Sequence, residues 1–245
     1  MLPERPFRIF TSSGDFVAPA GVSEVHVLAI GGGGGGSFPT GSAGSGYLNS
    51  ATLRVTPGQQ YSAVVGVGGK CGYYEFKATT GASSSFDSDT LVAKGGAPGL
   101  ENDGSGPGGS GGGAGNGGAH CPGEGNGGMN GNKGDNCGTV QGAAGQGETA
   151  WNGHLANFKF NTLTAGSGGT PGSGTFNGYP KVAGGGGGGV LVNGSGPRAG
   201  RTCYGLTGGV GYGAGGGAGG YSQTNACGGS SGMNGLVYIE WNPPA

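Results

Sequence analysis

Charged side chains are scarce in this sequence. Only 9% of its 245 residues are Asp, Glu, Lys or Arg, and eleven basic against twelve acidic residues give a net charge of −1. Proteins that recognise nucleic acid or anionic membranes concentrate basic residues on one face. The composition therefore predicts no nucleic-acid partner. The longest apolar run, Val25 to Ile30, is too short to span a bilayer, so we expect no membrane insertion.

Proline and helical periodicity are also lacking. The chain has 13 prolines against 70 glycines, and the spacing of the glycines keeps changing. Collagen needs glycine at every third position and about 15–20% proline, so a collagen triple helix is excluded. No stretch keeps apolar residues at the 3.6-residue spacing of an amphipathic helix. A flexible linker would suit residues 104–147 alone, but not the apolar, strand-like termini.

Strand-forming segments flank the glycine-rich part of the chain. Turn signals at Ser13-Gly14-Asp15 and Pro19-Ala20-Gly21 divide the first segment, and LVYIEW near the end follows an Asn234-Gly235 turn. Further strands are predicted at 51–56, 60–67, 84–93 and 158–163. Neither terminal segment can bury its apolar face alone, so we expect one β unit. Its predicted core is Phe7, Phe10, Val25, Val27, Leu53, Val55, Val65, Val237 and Ile239.

Glycines recur at every third residue in runs at 106–118, 125–134 and 205–220, with Ala214 filling one slot of the last. This period matches the left-handed polyproline-II helix, which has no internal hydrogen bonds. Glycine faces let such helices approach and bond to each other, which offsets the entropy lost on ordering. We predict strands mainly over 1–100 and 236–245, polyglycine helices and turns over 101–147 and 184–235, and an aromatic-bearing insertion at 148–183. Disorder of the glycine runs is the alternative.

The sequence contains patterns that resemble catalytic and cofactor-binding motifs, but each lacks the neighbouring residues or elements that such a motif requires. Gly31–Gly36 satisfies GxGxxG after a strand, but no helix can follow and no acidic residue occurs between Val25 and Tyr74. Gly68-Gly69-Lys70 lacks the first glycine and the hydroxyl residue of a phosphate loop. The GxSxG patterns at 108–112 and 228–232 lack a flanking helix. We therefore predict no enzyme, no cofactor and no metal site.

Aromatic side chains on turns are the best candidates for contacts with a partner, because a packed glycine bundle exposes little chemistry of its own. Tyrosine and tryptophan combine apolar area with a polar group and dominate binding hot spots. The candidate binding residues are Trp151, His154, Tyr179, Tyr204, Tyr212 and Tyr221. Phe158 and Phe160 are expected to fill the core instead.

Two covalent modifications are left open by the sequence. The five cysteines form no CxxC pair, and their odd number leaves at least one thiol without a partner in the chain. Disulfides are candidates among Cys71, Cys121, Cys137, Cys203 and Cys227. Asn193-Gly194-Ser195 is a glycosylation sequon, which has meaning only if a eukaryote secretes the protein.

Five characteristic stretches follow one another along the chain: FTSSGDFVAPAGVSEVHVLAIGGGGGG, VTPGQQYSAVVGVGG, SSSFDSDTLVAKGGAPG, GYGAGGGAGG and NGLVYIEW. In this order they resemble the glycine-rich domains of phage tail-fibre and adhesin proteins. A more distant likeness is to the glycine-rich domain of receptors of the anaplastic-lymphoma-kinase type. That likeness implies a jelly-roll-like β-sandwich with an inserted bundle of polyglycine-II helices. The cysteines and residues 148–181 depart from the simplest phage pattern.

The resemblance implies a non-enzymatic module that lies outside a cell or on a virion surface. In the first interpretation the protein is an adhesin, with a rigid glycine scaffold and a receptor or glycan as its partner. In the second it is a structural subunit of an extracellular filament or matrix, which associates with itself as a homo-oligomer or filament. Ice binding is a third interpretation. The state of assembly separates the first two, since a filament subunit forms an open polymer.

Overall fold

The computed structural model describes residues 5–37, 41–72, 76–99, 163–169, 172–176, 179–183, 186–200, 208–217, 220–221 and 226–243. Within these ranges the chain is mainly β and contains no helix. The strands are β1 (Phe7–Phe10), β2 (Gly14–Val17), β3 (Glu24–Ile30), β4 (Leu48–Arg54), β5 (Gln60–Val64), β6 (Ser84–Phe86), β7 (Leu91–Ala93), β8 (Leu163–Ala165), β9 (Gly172–Phe176), β10 (Tyr179–Ala183), β11 (Val190–Val192), β12 (Gly220–Tyr221), β13 (Ala226–Cys227) and β14 (Leu236–Glu240).

Two four-stranded antiparallel sheets contain the strands of both termini. The terminal sheet has the strand order β1-β14-β3-β4, and the second sheet has the order β2-β5-β6-β7. The last strand lies between the first and the third, because Val237 pairs with Phe10 on one side and with Ala29 on the other. The prediction of one β unit from both ends of the chain is confirmed. β8 pairs with β11, β9 with β10, and β12 with β13.

One apolar cluster takes side chains from both four-stranded sheets. Val27 and Ile239 of the terminal sheet are buried in it together with Phe16, Tyr61 and Phe86 of the second sheet. The ring centroids of Tyr61 and Phe86 lie 5.7 Å apart, and those of Phe16 and Phe86 lie 6.1 Å apart. Alternate residues of each strand point into this cluster, as the twofold periodicity of a β-strand requires.

The predicted core is confirmed at most positions and wrong at one. Phe10, Val25, Val27, Val55, Val65, Val237 and Ile239 are buried, and Leu53 is half-buried against the cluster. Phe7 is 44% exposed. Residues 7 and 10 of one strand point to opposite faces, so both cannot enter the same core. The ring of Phe7 instead stacks on Tyr238, with centroids 5.7 Å apart.

The other side of the terminal sheet is covered as well. Leu28, Ile30 and Leu236 point away from the first cluster and pack with Leu163 of β8 and Val190 of β11. Every residue of β14 is therefore buried. Strands that are covered on both faces generally lack the alternation of apolar and polar residues. This explains the sequence of β14, Leu-Val-Tyr-Ile-Glu, which is apolar at nearly every position.

Several strand predictions need correction. Residues 84–93 form the hairpin of β6 and β7, and its turn places Asp87 and Ser88 in the left-handed region with φ of 50° and 58°. β5 ends at Val64, three residues before the predicted end. β11, β12 and β13 lie inside 184–235, where we predicted helices and turns. Of the predicted strand at 158–163, only Leu163 lies within the described residues, and β8 begins there.

The third glycine run is interrupted. Gly211 has φ of 112° and Gly213 has φ of 74°. A polyproline-II helix needs φ near about −75°, so no single helix of this type can pass through both residues. The runs at 106–118 and 125–134 lie outside the described residues, and their order stays a prediction.

Both four-stranded sheets continue into glycine-rich segments at the same end. Gly31 follows the last residue of β3, and β4 and β14 begin at Leu48 and Leu236, which both flank Ile30 in the register. The buried Ser84 joins the two sheets at this end. Its hydroxyl donates to the carbonyl oxygen of Ile30 at 2.6 Å and accepts from the amide of Gly66 at 2.9 Å.

Replacing Ser84 by alanine should lower the free energy of unfolding by about 1–3 kcal/mol, because two buried backbone groups lose their partner. Ser85→Ala is the matched control, since Ser85 is the next residue, is half-buried and points away from the core. Chemical denaturation of both variants measures the difference. Equal midpoints for the two variants would contradict the role given to Ser84.

Candidate functional site

Gly31–Gly36, here the central run, donates its amides to three segments in rotation. The amides of Gly31 and Gly34 bond to the carbonyls of Tyr47 and Gly44 at 3.0 and 2.9 Å. The amides of the next residues, Gly32 and Gly35, bond to Ala82 and Thr79, and those of Gly33 and Gly36 bond to Met233 and Ser230. The direction of the donor therefore repeats at every third residue.

The carbonyls of the central run point to three other segments with the same period. Gly32 and Gly35 accept from the amides of Gly96 and Gly99. Gly33 and Gly36 accept from Gly69 and Gly72, and Gly34 accepts from Gly216. Six segments thus surround the central run, and together with it they form what we call the glycine bundle: 41–47, 94–99, 79–82, 66–72, 230–233 and 213–217.

The surrounding segments also bond to one another in that order. Bonds join Gly44 to Ala97, Gly81 to Gly96, Ala82 to Val67, Gly232 to Gly69, Met233 to Ala214, and Ala43 to Gly216, at 2.8–3.1 Å. The ring around the central run is therefore closed. A second layer begins outside it, where the amide of Gly187 donates to Ala43 and that of Gly215 donates to Gly187.

No side chain fits along the central run. A Cβ atom on Gly31 or Gly34 would overlap the carbonyl oxygen of Lys94 or Ala97, and one on Gly32 or Gly35 would overlap that of Val67 or Lys70. On Gly33 and Gly36 the overlap is with Ala214 and Gly217. The GxGxxG pattern is thus packed against backbone on every side.

Two other glycine-rich motifs are engaged in the same hydrogen bonds, whereas the GxSxG pattern at 108–112 lies outside the described residues. The amide of Gly69 donates to Gly33, and the amide of Lys70 donates to the hydroxyl of Thr79 at 2.8 Å, so neither is directed at a phosphate. Ser230 of the second GxSxG pattern is buried, and its hydroxyl accepts from the amide of Gly217 at 2.8 Å. These motifs build the bundle.

Three of the candidate binding residues, Trp151, His154 and Tyr204, lie outside the described residues. The backbone of Tyr179 begins β10, and that of Tyr221 ends β12. Tyr212 is half-buried and packs against the second core cluster, and its backbone exchanges two hydrogen bonds with Val190 at 2.8 and 3.0 Å. Strands β10 and β12 lie close together, so the backbones of Tyr179 and Tyr221 belong to one region of the fold, whereas Tyr212 packs against the second core cluster. The contact role of these residues stays a prediction.

The modification candidates are only partly described. Asn193 is exposed at the tip of a two-residue turn, with φ of 51°, between Val192 and Ser195. Cys71 is half-buried with a free thiol, and Cys227 lies in β13. Cys121, Cys137 and Cys203 lie outside the described residues, so the disulfide prediction remains untested.

Sequence reasoning missed a surface that runs from the outer side of the second sheet onto the glycine bundle. On the sheet it carries Val17, Gln60 and Val64, and on the bundle it carries the exposed residues of two segments, Val67, Lys70, Phe76, Thr79 and Ala82. We call this surface the open face. Its signal in the sequence is faint: residues 67 and 70, and residues 76, 79 and 82, are larger than glycine at every third position.

His26 belongs to a polar cluster on the terminal sheet, at the end opposite the glycine bundle. Its Nδ1 atom lies 2.7 Å from the hydroxyl of Thr52, and it is paired in register with Glu240. The carboxylate of Glu240 is fully buried and accepts from Arg5 at 2.9 Å. Burial lowers the pKa of His26 below 6.5, the charge of Arg5 lowers it further, and Glu24 opposes both effects.

Stability should fall as the pH is lowered through 6.5, the unshifted pKa of histidine. In that range the unfolded chain binds a proton at His26 that the folded chain does not yet bind, so protons favour unfolding. The loss should level off below the pKa of the folded state. His26→Gln should flatten this part of the curve of unfolding free energy against pH. An unchanged slope in the variant would contradict the assignment.

Among the described residues, no group of three or more His, Cys, Asp or Glu side chains could hold a metal ion. In the same part of the chain, no helix has the length and apolar character needed to cross a membrane. The bonds and packing describe a β protein whose interior is completed by glycine backbone instead of side chains. The chain belongs to the glycine-rich domain family, whose model matches residues 11–242. No curated protein sequence matches it.

Proposed function

We propose that the glycine bundle consists of polyproline-II-type helices, and that the two four-stranded sheets form a jelly-roll-like sandwich from which the bundle extends. The three-residue period of the donors and acceptors of the central run supports this, since such a helix has three residues per turn. The shared core of the two sheets supports the sandwich.

On this scaffold we place a non-enzymatic contact module of an adhesin or tail fibre, outside a cell or on a virion surface. The observation that carries the proposal is the closed ring of backbone hydrogen bonds around the central run. Such a ring makes a stiff support without large side chains, because each segment is held by its neighbours along its whole length. Side chains for recognition then come from the turns and outer segments.

The partner in this proposal is a cell-surface receptor or a glycan. Trp151, His154, Tyr179, Tyr204 and Tyr221 are the proposed contact residues, because aromatic rings stack on sugar faces and serve as anchors at protein interfaces. Tyr212 contributes less, since it is half-buried and already packs against the second core cluster.

Alanine variants of Trp151, Tyr179, Tyr204 and Tyr221 test the proposal in the full chain. A glycan array and whole-cell binding measure recognition, and thermal melting measures the fold. We expect lost binding with an unchanged melting temperature in at least the Trp151 variant. A wild-type protein that binds neither glycans nor cells would contradict the function, and lost stability in all four variants would show that these aromatic residues are core.

A further inference from the structure

The open face gathers most of the exposed large apolar side chains. Among the described residues five such side chains are exposed, and four lie here: Val17 at 55%, Val64 at 41%, Val67 at 61% and Phe76 at 73%. Apolar residues concentrated on one continuous surface are typical of an interaction site, whereas scattered ones are ordinary. The other broad side of the fold, behind the terminal sheet, is already covered by β8 and β11.

The size of the open face matches a stable protein–protein interface. Four strands about 4.8 Å apart make it about 19 Å wide. The strands of the second sheet and the segments that follow them make it about 36 Å long, at about 3.1–3.4 Å per residue. The product, about 700 Å², is an upper bound, because the open face is four strands wide on the sheet and two segments wide on the bundle. It is of the same order as the roughly 800 Å² that each partner contributes to an interface of standard size.

Charge is divided between the two ends of the open face. Asp15, Asp87 and Asp89 are exposed at the end formed by the tips of the second sheet. Lys70 and Lys77 are exposed at the other end, on the glycine bundle. Lys94 lies between these ends, where edge strand β7 runs into the bundle, and from there its long side chain can reach solvent.

We propose that the open face binds a second copy of this chain in a closed two-fold dimer. The two-fold axis lies in the plane of the interface and runs perpendicular to the strands. The two copies therefore face each other with their ends exchanged. It then places the acidic end of each copy against the lysines of the other. Val64 and Val67 of the two copies meet in the middle, and Val17 of each copy lies opposite Phe76 of the other. Because the two patches are the same, the contact closes on itself and forms no fibre.

Sedimentation velocity of the full chain, from micromolar to submillimolar concentration, tests this proposal. The wild-type protein should form a dimer, and salt should weaken it because the end contacts are charged. Lys70→Glu with Lys77→Glu should raise the dissociation constant at least about tenfold, because like charges then face each other across the interface. Asp15→Lys with Asp89→Lys should do the same, whereas Asp87 is left intact because it supports the turn through Thr90.

A mixture of the two double variants is the decisive sample. In a two-fold dimer each charge-reversed end then meets an opposite charge, so the mixture should recover a dimer that neither variant forms alone. Arg198→Glu, an exposed charge reversal outside the open face, is the matched control and should leave the dimer unchanged. Melting curves confirm that the variants fold.

Three results would overturn the dimer. The first is a wild-type monomer at all concentrations, the second is an open polymer, and the third is a mixture that fails to recover association although both variants fold. None of these results bears on the glycan or cell binding proposed above. The two proposals therefore fail independently.

Discussion

Gly34→Ala is expected to lower the free energy of unfolding by about 4 kcal/mol or more, a loss found only when the interior is severely disrupted. The added methyl group overlaps the carbonyl of Ala97, and that carbonyl also accepts the amide of Gly44 at 3.1 Å. Any shift that makes room also strains the bonds of Gly34 to Gly44 and Gly216, both 2.9 Å long. Alanine also lowers the conformational entropy of the unfolded chain, but this offsets only about 0.4–1 kcal/mol of the loss.

Gly200→Ala is the matched control for this substitution. A Cβ atom on residue 200 would lie 3.6 Å from the Cβ atom of Ser230, which is an ordinary van der Waals contact. We therefore expect no loss of stability. Gly33→Ala and Gly35→Ala should be as harmful as Gly34→Ala. A β-strand with one solvated face would instead tolerate every second substitution, so an alternating pattern across Gly33, Gly34 and Gly35 would contradict the closed ring.

Deleting Leu236–Trp241 should abolish cooperative unfolding. β14 hydrogen-bonds to β1 and β3, and its side chains enter both core clusters, so its loss exposes both at once. Differential scanning calorimetry should show no sharp transition. A chain that ends at Asn242 is the control and should melt like the wild type, since Asn242 is exposed.

Ile239→Ala gives a graded version of the deletion. It leaves the backbone of β14 in place and should cost about 2–5 kcal/mol, as buried isoleucine truncations do. A deletion variant with the calorimetric transition of the wild type would mean that β14 is not the centre of the terminal sheet.

The terminal strands were predictable because their signals are local. Val25–Ile30 and Leu236–Glu240 are β-prone runs bounded by turns, and burying each requires a partner. The prediction for Phe7 is wrong because its apolar ring indicates burial, whereas residues 7 and 10 of one strand point to opposite faces. The hairpin at 84–93 was missed because its turn uses Asp87 and Ser88 in the left-handed region, where glycine or asparagine is the usual signal.

The arrangement of the glycine bundle was not predictable from the sequence. The sequence shows a period of three in the glycine runs at 106–118 and 125–134, whereas the described ring is built around six consecutive glycines. The period of the ring is visible only in the hydrogen-bond partners of the central run. Segments of the ring such as 41–47 and 230–233 are separated by most of the chain. Glycine carries no side-chain pattern from which such distant contacts could be inferred.

The candidate site was predictable only in part. Tyr212 was chosen because it lies near a glycine turn, but the turn folds back on the second core cluster and half-buries it. The open face was missed since its apolar residues, such as Val64 and Val67, look in the sequence like core residues. Val64 is exposed because it alternates with the buried Ala63 and Val65, which point to the opposite face.

Hydrogen exchange at the amides of Gly31–Gly36 tests the rigid glycine scaffold most directly. All six amides donate to backbone carbonyls at 2.9–3.0 Å inside the ring. They should therefore exchange as slowly as the amides of β3 and β14, near the limit set by global unfolding. Exchange at the rate of an unstructured peptide across the central run, with β3 and β14 still protected, would show a flexible glycine linker and contradict the scaffold.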